Sequence, residues 1–190
     1  MREGDIDMNL QKKFKEEIGS KLQKELGIKN PMALPRLEKI VVNMGVKDSV
    51  SDKKLIEKMA GAVAQITGQK PKVTRAKQAI AGFKIRQGDA LGLVVTLRGR
   101  RMYTFFDNIV NIMLPRLKDF RGVKRKSFDG RGNYALGLHE YSVFPEIDPA
   151  SVDRLQGMEI IFVTKAKDNQ DAFALLEAMG MPFQKEQPKQ

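Results

Sequence analysis

The feature that most limits how this chain folds is a change in the spacing of its apolar residues. Leu10, Phe14, Ile18, Leu22 and Leu26 recur every fourth residue with charges between them, and Gly27 follows. That spacing lays one apolar stripe along a helix, with Asp7 or Asn9 as candidate caps and the glycine as a stop. From Leu37 to Val46 (LEKIVVNMGV) the spacing drops to two. Ile40, Val42, Met44 and Val46 then take one face of a strand, and Lys39, Val41, Asn43 and Gly45 take the other. Elements with one apolar side each must cover it against another layer.

The alternation of periods continues down the chain. A second helix runs from about Asp52 after Ser51, with Leu55, Met59, Val63 and Ile66 on one side and Gly68 as its stop. Lys72 to Arg75 reads as a short strand, and a long loop from Ala76 to Gly88 follows, punctuated by Gly82 and Gly88. Ala90 to Arg98 is a strand with Leu91, Leu93, Val95 and Leu97 facing in and Val94, Thr96 and Arg98 facing out. Met102 to Leu114 is a helix, apolar at Met102, Phe105, Phe106, Ile109 and Met113 and ended by Pro115. A loop broken at Gly122, Gly130 and Gly132 leads to strands at Tyr134 to Phe144 and Met158 to Lys165, set around Pro145, Pro149 and Gly157. A last helix, Asn169 to Met179, is capped by Asp168 and closed by Gly180 and Pro182. The order α-β-α-β-β-α-β-β-α predicts an α+β fold. It is a mostly antiparallel five-stranded sheet with helices packed on one face, an RRM-like two-layer sandwich. With 190 residues, 42% of them hydrophobic, the chain suits one domain able to bury about 70% of its unfolded surface.

Charge is gathered rather than spread. Lys70 to Arg101 holds nine Lys/Arg against one acidic residue, and Arg116 to Arg131 holds seven against two. These stretches exceed the net charge of +11, so the rest of the chain is slightly acidic. A segmentally basic surface fits nucleic acid, because each neutralised phosphate releases condensed counterions.

Catalytic chemistry is missing. There is no Cys, and His139 is the only imidazole, placed in a strand pattern. Neither a nucleophile triad nor a zinc site can be assembled from that set, so no metal or cofactor is expected. GRGNYALG is not a dinucleotide-binding GxGxxG, residues 61–70 are not a Walker loop, and Glu146 and Asp148 in FPEIDP read as turn residues. No apolar run approaches the ~20 residues of a membrane span, and MREGDIDMNL lacks the features of a signal peptide. The expectation is a cytosolic, non-enzymatic binding protein with no membrane or small-molecule partner.

The binding surface is read from the strands. Lys39 and Asn43 share one strand face roughly 13 Å apart, and Thr96 and Arg98 share the outward face of another. Were those strands neighbours, a cation, an amide, a hydroxyl and a guanidinium would stand on one open sheet, able to contact phosphates, 2′-hydroxyls and base edges. The same alternation also describes an ordinary solvated face. Arg75, Lys77, Lys84 and Arg86 alternate with Ile80, Phe83 and Ile85 in a loop long enough to be functional or disordered. In FRGVKRKSFDGRGNY, Arg121, Lys124, Arg125, Lys126 and Arg131 are candidate RNA or bridge contacts, and Phe120, Phe128 and Tyr134 either stack on a partner or anchor the loop. Helix-turn-helix DNA binding fits less well, because the charge sits on loops and a sheet. The rival reading is a free-standing RNA- or DNA-binding regulator.

The runs IVVNMGV, TGQKP, TRAKQAIAGFKIRQG, VTLRG, LPRLKDFRGVKRKSFDGRGNYALG, VFPEID and GMPF, in this order, resemble the bacterial 5S-rRNA-binding protein five of the large ribosomal subunit. The likeness spans about residues 8–183, leaving 1–7 as an N-terminal extension and 184–190 as a tail. It implies a five-stranded sheet with helices on one side and a structural role in the central protuberance. The implied 5S rRNA contacts are Lys39, Asn43, Gln69 and Thr96, of which Gln69 comes from the resemblance alone. It further implies that residues 75–87 reach P-site tRNA, with large-subunit rRNA, neighbouring large-subunit proteins and a small-subunit protein across an intersubunit bridge as other partners. Lys47 stands where the family usually has Gly.

Overall fold

The computed structural model describes residues 9–46, 53–148 and 155–184. Asp7, Lys47, Ser51, Asp52, Pro149, the extension 1–7 and the tail residues 185–190 lie outside them. The predicted element order is observed. Helix α1 joins the stretches Asn9–Lys13, Phe14–Ile18 and Gly19–Leu26, and β1 is Leu37–Gly45. Then come α2 (Lys53–Thr67), β2 (Lys72–Arg75) and β3 (Ala90–Leu97). Helix α3 joins Gly99–Asn108, Ile109–Met113 and Leu114–Arg116, followed by β4 (Tyr134–Leu138), β5 (Met158–Thr164) and α4 (Asn169–Ala178). The five strands form one antiparallel sheet in the order β2-β3-β1-β5-β4. The fold is α+β, as expected.

Two compact units share this chain. One takes residues 1–40, 98–136 and 161–190, and the other takes 41–97 and 137–160. In the first, α1, α3 and α4 bury Ile18, Leu22, Phe106, Ile109 and Leu175 with Phe162 of β5. The rings of Phe106 and Phe162 meet edge-on at 5.6 Å. In the second, α2 packs on β3 and buries Ile56, Met59, Val63 and Ile66 against the inward residues Leu93, Val95 and Leu97. The buried stripe of α2 turns toward Ile56, leaving Leu55 half-buried.

Both long helices carry a widened turn. A strict spacing of four overshoots a 3.6-residue turn by about 40° per repeat, so an apolar stripe written that way drifts round the helix. In α1 the π-turn Phe14–Ile18 absorbs the drift, with the Gly19 N–H reaching back to the Phe14 carbonyl. In α3 the π-turn Ile109–Met113 ends two residues before Pro115 and includes Asn111, whose carbonyl a proline at 115 would meet in a regular turn. The widened turn gives the pyrrolidine ring room that a regular turn denies it. Helix α3 therefore continues past Pro115 to Arg116, where the sequence predicts a stop. It also begins at Gly99 rather than Met102, because its first turn is the polar Gly-Arg-Arg and carries no apolar period.

Strand β4 ends at Leu138, well short of the predicted Phe144. Beyond it the chain turns into a 3-10 segment, Tyr141–Val143, where the Tyr141 N–H donates to the Gln156 carbonyl at 3.1 Å. His139 is exposed, directly after the strand rather than within it.

The register of β2, β3 and β1 positions the candidate site. Lys72 faces Val94, Val73 faces Leu93 and Thr74 faces Gly92 across β2 and β3. On the other side of β3, the Val46 N–H donates to the Leu91 carbonyl at 2.8 Å. Counting antiparallel from that bond sets Gly45 opposite Gly92, Asn43 opposite Val94 and Val41 opposite Thr96. Gly92 is the pinch point. A Cβ there would lie 2.7 Å from the Met44 carbonyl oxygen and 3.0 Å from Thr74 Oγ1. Gly92→Ala is expected to cost about 1–3 kcal/mol by forcing two strands apart. Gly45→Ala, where a Cβ meets nothing within 4 Å, should cost less than Gly92→Ala. Thermal melts of the two variants followed by circular dichroism check this, and equal melting temperatures would contradict the register.

Candidate nucleic-acid interface

The outward face of unit two's strands carries Asn43, exposed, and Thr96, half-buried, while Val42, Met44, Val95 and Leu97 are buried behind them. Asn43 and Thr96 are diagonal neighbours in the register, a relation that puts their side chains roughly 7–8 Å apart. A third polar group arrives from the end of α2. Gly68, at φ 64°, turns the chain out of the helix, a conformation that favours glycine. The buried Thr67 hydroxyl donates to the Val63 carbonyl at 2.7 Å and accepts the Gln69 N–H at 3.3 Å. Gln69 is thereby aimed at β3, where its Nε2 donates to the Thr96 carbonyl at 3.4 Å.

Lys39 and Arg98 belong to the other unit. Arg98 is exposed and follows β3, its backbone still extended at φ −140° and ψ 163°, and Lys39 is half-buried in β1.

The basic loop after β2 is a second, smaller hairpin rather than an irregular span. The Ala76 N–H donates to the Asp89 carbonyl at 2.8 Å, and the Gly88 N–H donates to the Ala76 carbonyl at 3.0 Å. Arg75 Nη1 donates to the Gly88 carbonyl at 2.9 Å, which commits this side chain to the base of the loop. Ile80 and Ile85 bridge antiparallel and close a 3-10 tip, Ala81–Phe83. Beyond that neck Lys84 is left-handed, at φ 55°. Phe83 is 75% exposed and Ile80 48%, and Lys77, Lys84 and Arg86 are exposed with them.

The second basic stretch is fastened down along its length. Val123 pairs with Phe183, its N–H donating to the Pro182 carbonyl at 2.8 Å. Gly122 permits that approach: at φ 99°, a Cβ there would lie 2.8 Å from the Gln184 nitrogen. Phe128, Tyr134, Phe173 and Phe183 form an aromatic cluster, and Tyr134 donates its phenol to the Lys124 carbonyl at 2.9 Å. Asp129 closes the following turn, accepting from Asn133 Nδ2 and from the Arg131 and Asn133 amides. Those bonds, the Asn133 side chain first, hold its carboxyl below the usual value.

Comparison with known families matches this chain twice. Residues 30–86 fit the family described as ribosomal protein L5, and residues 90–183 fit the family described as the C-terminus of the same ribosomal proteins. The chain belongs to the ribosomal protein L5 family. It is 57% identical over 174 residues to the large ribosomal subunit protein uL5 of Dichelobacter nodosus (strain VCS1703A), covering 92% of this chain and 97% of the relative. The uL5 proteins of Roseiflexus castenholzii (strain DSM 13941 / HLO8) and Anaeromyxobacter sp. (strain Fw109-5) are each 51% identical over the same shares. It is a ribosomal protein and not an enzyme. Among the described residues, no helix is long and apolar enough to cross a membrane.

Within this L5-family chain the structure brings Asn43, Gln69 and Thr96 together in one unit and leaves Lys39 and Arg98 in the other. Arg121, Lys124, Lys126 and Arg131 are exposed. Arg125, also a candidate contact, sits with its guanidinium carbon 4.4 Å from the centre of the Phe173 ring. Phe128 and Tyr134 are anchors. Two residues that the sequence reading passed over, Lys72 and Thr74, share the outward face through their partners Val94 and Gly92. Extending the alternation of β3 by one strand would have found them.

Proposed function

We propose that this protein is a structural constituent of the large ribosomal subunit, in the cytoplasm, whose sheet face binds 5S rRNA and helps anchor it in the central protuberance. Asn43, Gln69 and Thr96 read the RNA, and Lys39 and Arg98 neutralise its backbone. The hairpin of residues 75–88 contacts P-site tRNA through Lys77, Lys84 and Arg86, with Arg75 holding its base. Other surfaces meet large-subunit rRNA, neighbouring large-subunit proteins and, across an intersubunit bridge, a small-subunit protein.

The observation that supports this reading most is the Gln69 side chain reaching the Thr96 carbonyl beside Asn43, on a sheet face shared with the half-buried Val41 and Val94. A solvated face has no need of a third polar residue delivered from a helix end. Amides and a hydroxyl suit base edges and 2′-hydroxyls, and the face has no aromatic platform for stacking single-stranded bases.

Fluorescence anisotropy with labelled 5S rRNA and an unrelated structured RNA, titrated over a range of KCl, tests it. Affinity for 5S rRNA should be the higher and should fall steeply with salt, by about 0.7–0.9 in log–log slope for each phosphate contact. Equal affinity for both RNAs at physiological salt would overturn the proposal.

A further inference from the structure

A glycine in a strand weakens it, because it packs no side chain and loses the most backbone freedom on folding. Within a chain, a left-handed backbone or a neighbour too close for a Cβ offsets that cost. Gly92 has such a neighbour, with the Met44 carbonyl oxygen 2.7 Å from where its Cβ would stand. Gly45, opposite Gly92 at the end of β1, has neither reason. Its φ lies outside the left-handed region, and a Cβ there meets no atom of the described residues within 4 Å. Gly45 is exposed on the outward face, two residues after Asn43.

We infer that Gly45 is a shape-selective contact of the sheet face: one nucleoside lies flat against its bare backbone, with its edge turned to Asn43. This rests on the proposal that the face binds 5S rRNA. It adds a position where a side chain is excluded rather than required.

The surroundings of Gly45 suit that guest. The row Gly45, Gly92 and Thr74 crosses three strands with a single side chain, that of Thr74 at its far end. The next row, Asn43, Val94 and Lys72, carries three. The low row is therefore a step beside Asn43. A flat ring resting on it presents its edge to the Asn43 amide, which both donates and accepts hydrogen bonds. The backbone beneath is fixed on both sides. The Val46 N–H donates to the Leu91 carbonyl at 2.8 Å, and Gln156 Nε2 donates to the Gly45 carbonyl. The strand cannot sink to make room, so a side chain at 45 would occupy the place of the guest. Glycine serves the same purpose wherever a backbone must approach a ligand closely.

Stability and binding should then move in opposite directions, which loss of structure cannot produce. The test makes Gly45→Ala and Gly45→Val in the full chain, with Gly61→Ala as control. Gly61 is exposed on α2, the helix that covers the other face of β3, and a Cβ there also meets nothing within 4 Å. All three variants should melt at the parent's temperature or up to about 1–4 °C above it. Affinity for 5S rRNA should fall about tenfold in Gly45→Ala and about 100-fold in Gly45→Val, as the side chain lifts the guest off the strand. It should stay at the parent's level in Gly61→Ala. The log–log salt slope should not move, because no charge changes, and an RNA duplex of arbitrary sequence should bind all variants alike. Parent-like 5S rRNA affinity in Gly45→Val would overturn the inference. So would a Gly45→Ala variant that melts well below the parent, since the glycine would then serve the chain's own fold. Asn43→Ala, measured alongside, separates this contact from the wider reading. If it weakens 5S rRNA binding and Gly45→Val does not, the face stands and the nucleoside at Gly45 falls. If neither weakens it, both fall.

Discussion

Replacing Tyr134 by alanine should destabilise the protein by about 3–5 kcal/mol, the range for removing a large ring from a packed core. Tyr134 is 1% exposed. Its ring meets Phe128 at 4.8 Å, Phe183 at 5.6 Å and Phe162 at 6.3 Å between centroids. Burial also pushes its phenol above the ordinary tyrosine value, partly offset by a hydrogen bond with Ser127. At about 2–4 °C per kcal/mol for a chain of this size, the melting temperature should fall by roughly 6–20 °C. Tyr134→Phe separates the ring from the hydroxyl. It keeps the packing but leaves the Lys124 carbonyl without its donor, at a cost of about 0.5–1.5 kcal/mol. Calorimetric melts of both variants decide the matter. Two variants equally mild would show that the cluster collapses around the missing ring. Two equally severe would show that the hydroxyl, not the ring, holds the basic stretch.

That cluster also shows where a sequence stops being informative. Tyr134 begins a strand pattern, so its inward direction could be read from alternation. Its partners could not. Phe128 lies in a glycine-broken loop, Phe173 on a helix and Phe183 past the last helix, and no local period connects them. The pairing of Val123 with Phe183 joins positions 60 residues apart, and only the tertiary fold reveals why Gly122 must lack a side chain. The faces of β1 and β3 were legible, because a period of two leaves each residue only one of two sides. Pro115 and the end of β4 were misread for a local reason. A proline normally stops a helix, but a π-turn placed just before it removes the clash. Residues 139–144 keep an apolar pattern, yet the Tyr141 amide donates to the Gln156 carbonyl and the Phe144 amide back to the Tyr141 carbonyl, in a 3-10 turn rather than a strand.

The candidate site divides along the same line. Asn43 and Thr96 were visible as polar residues on the outward side of apolar strands. Their adjacency was not, because nothing in the sequence pairs the first strand with the third. Gln69 left no periodic signal either, since it follows a helix stop and its side chain finds β3 only in three dimensions.

From this geometry comes the last expected result, which separates reading from adhesion. Asn43→Ala and Thr96→Ala should each weaken 5S rRNA binding by about 1–3 kcal/mol, taking the range for a lost base-edge contact as the analogue. Both side chains are neutral, so the salt slope should not move. Lys39→Gln and Arg98→Gln should instead lower the slope by about 0.7–0.9 each and weaken all RNAs alike. Because Asn43 and Thr96 are diagonal neighbours on adjacent strands, a single nucleotide can engage both. The double variant should then lose less than the two single losses added together. Melting temperatures should stay close to the parent's, since Asn43 is exposed and the apolar face behind Thr96 is untouched. If Asn43→Ala unfolds the protein while RNA affinity survives in the folded fraction, Asn43 is a structural residue and the RNA lies on another surface.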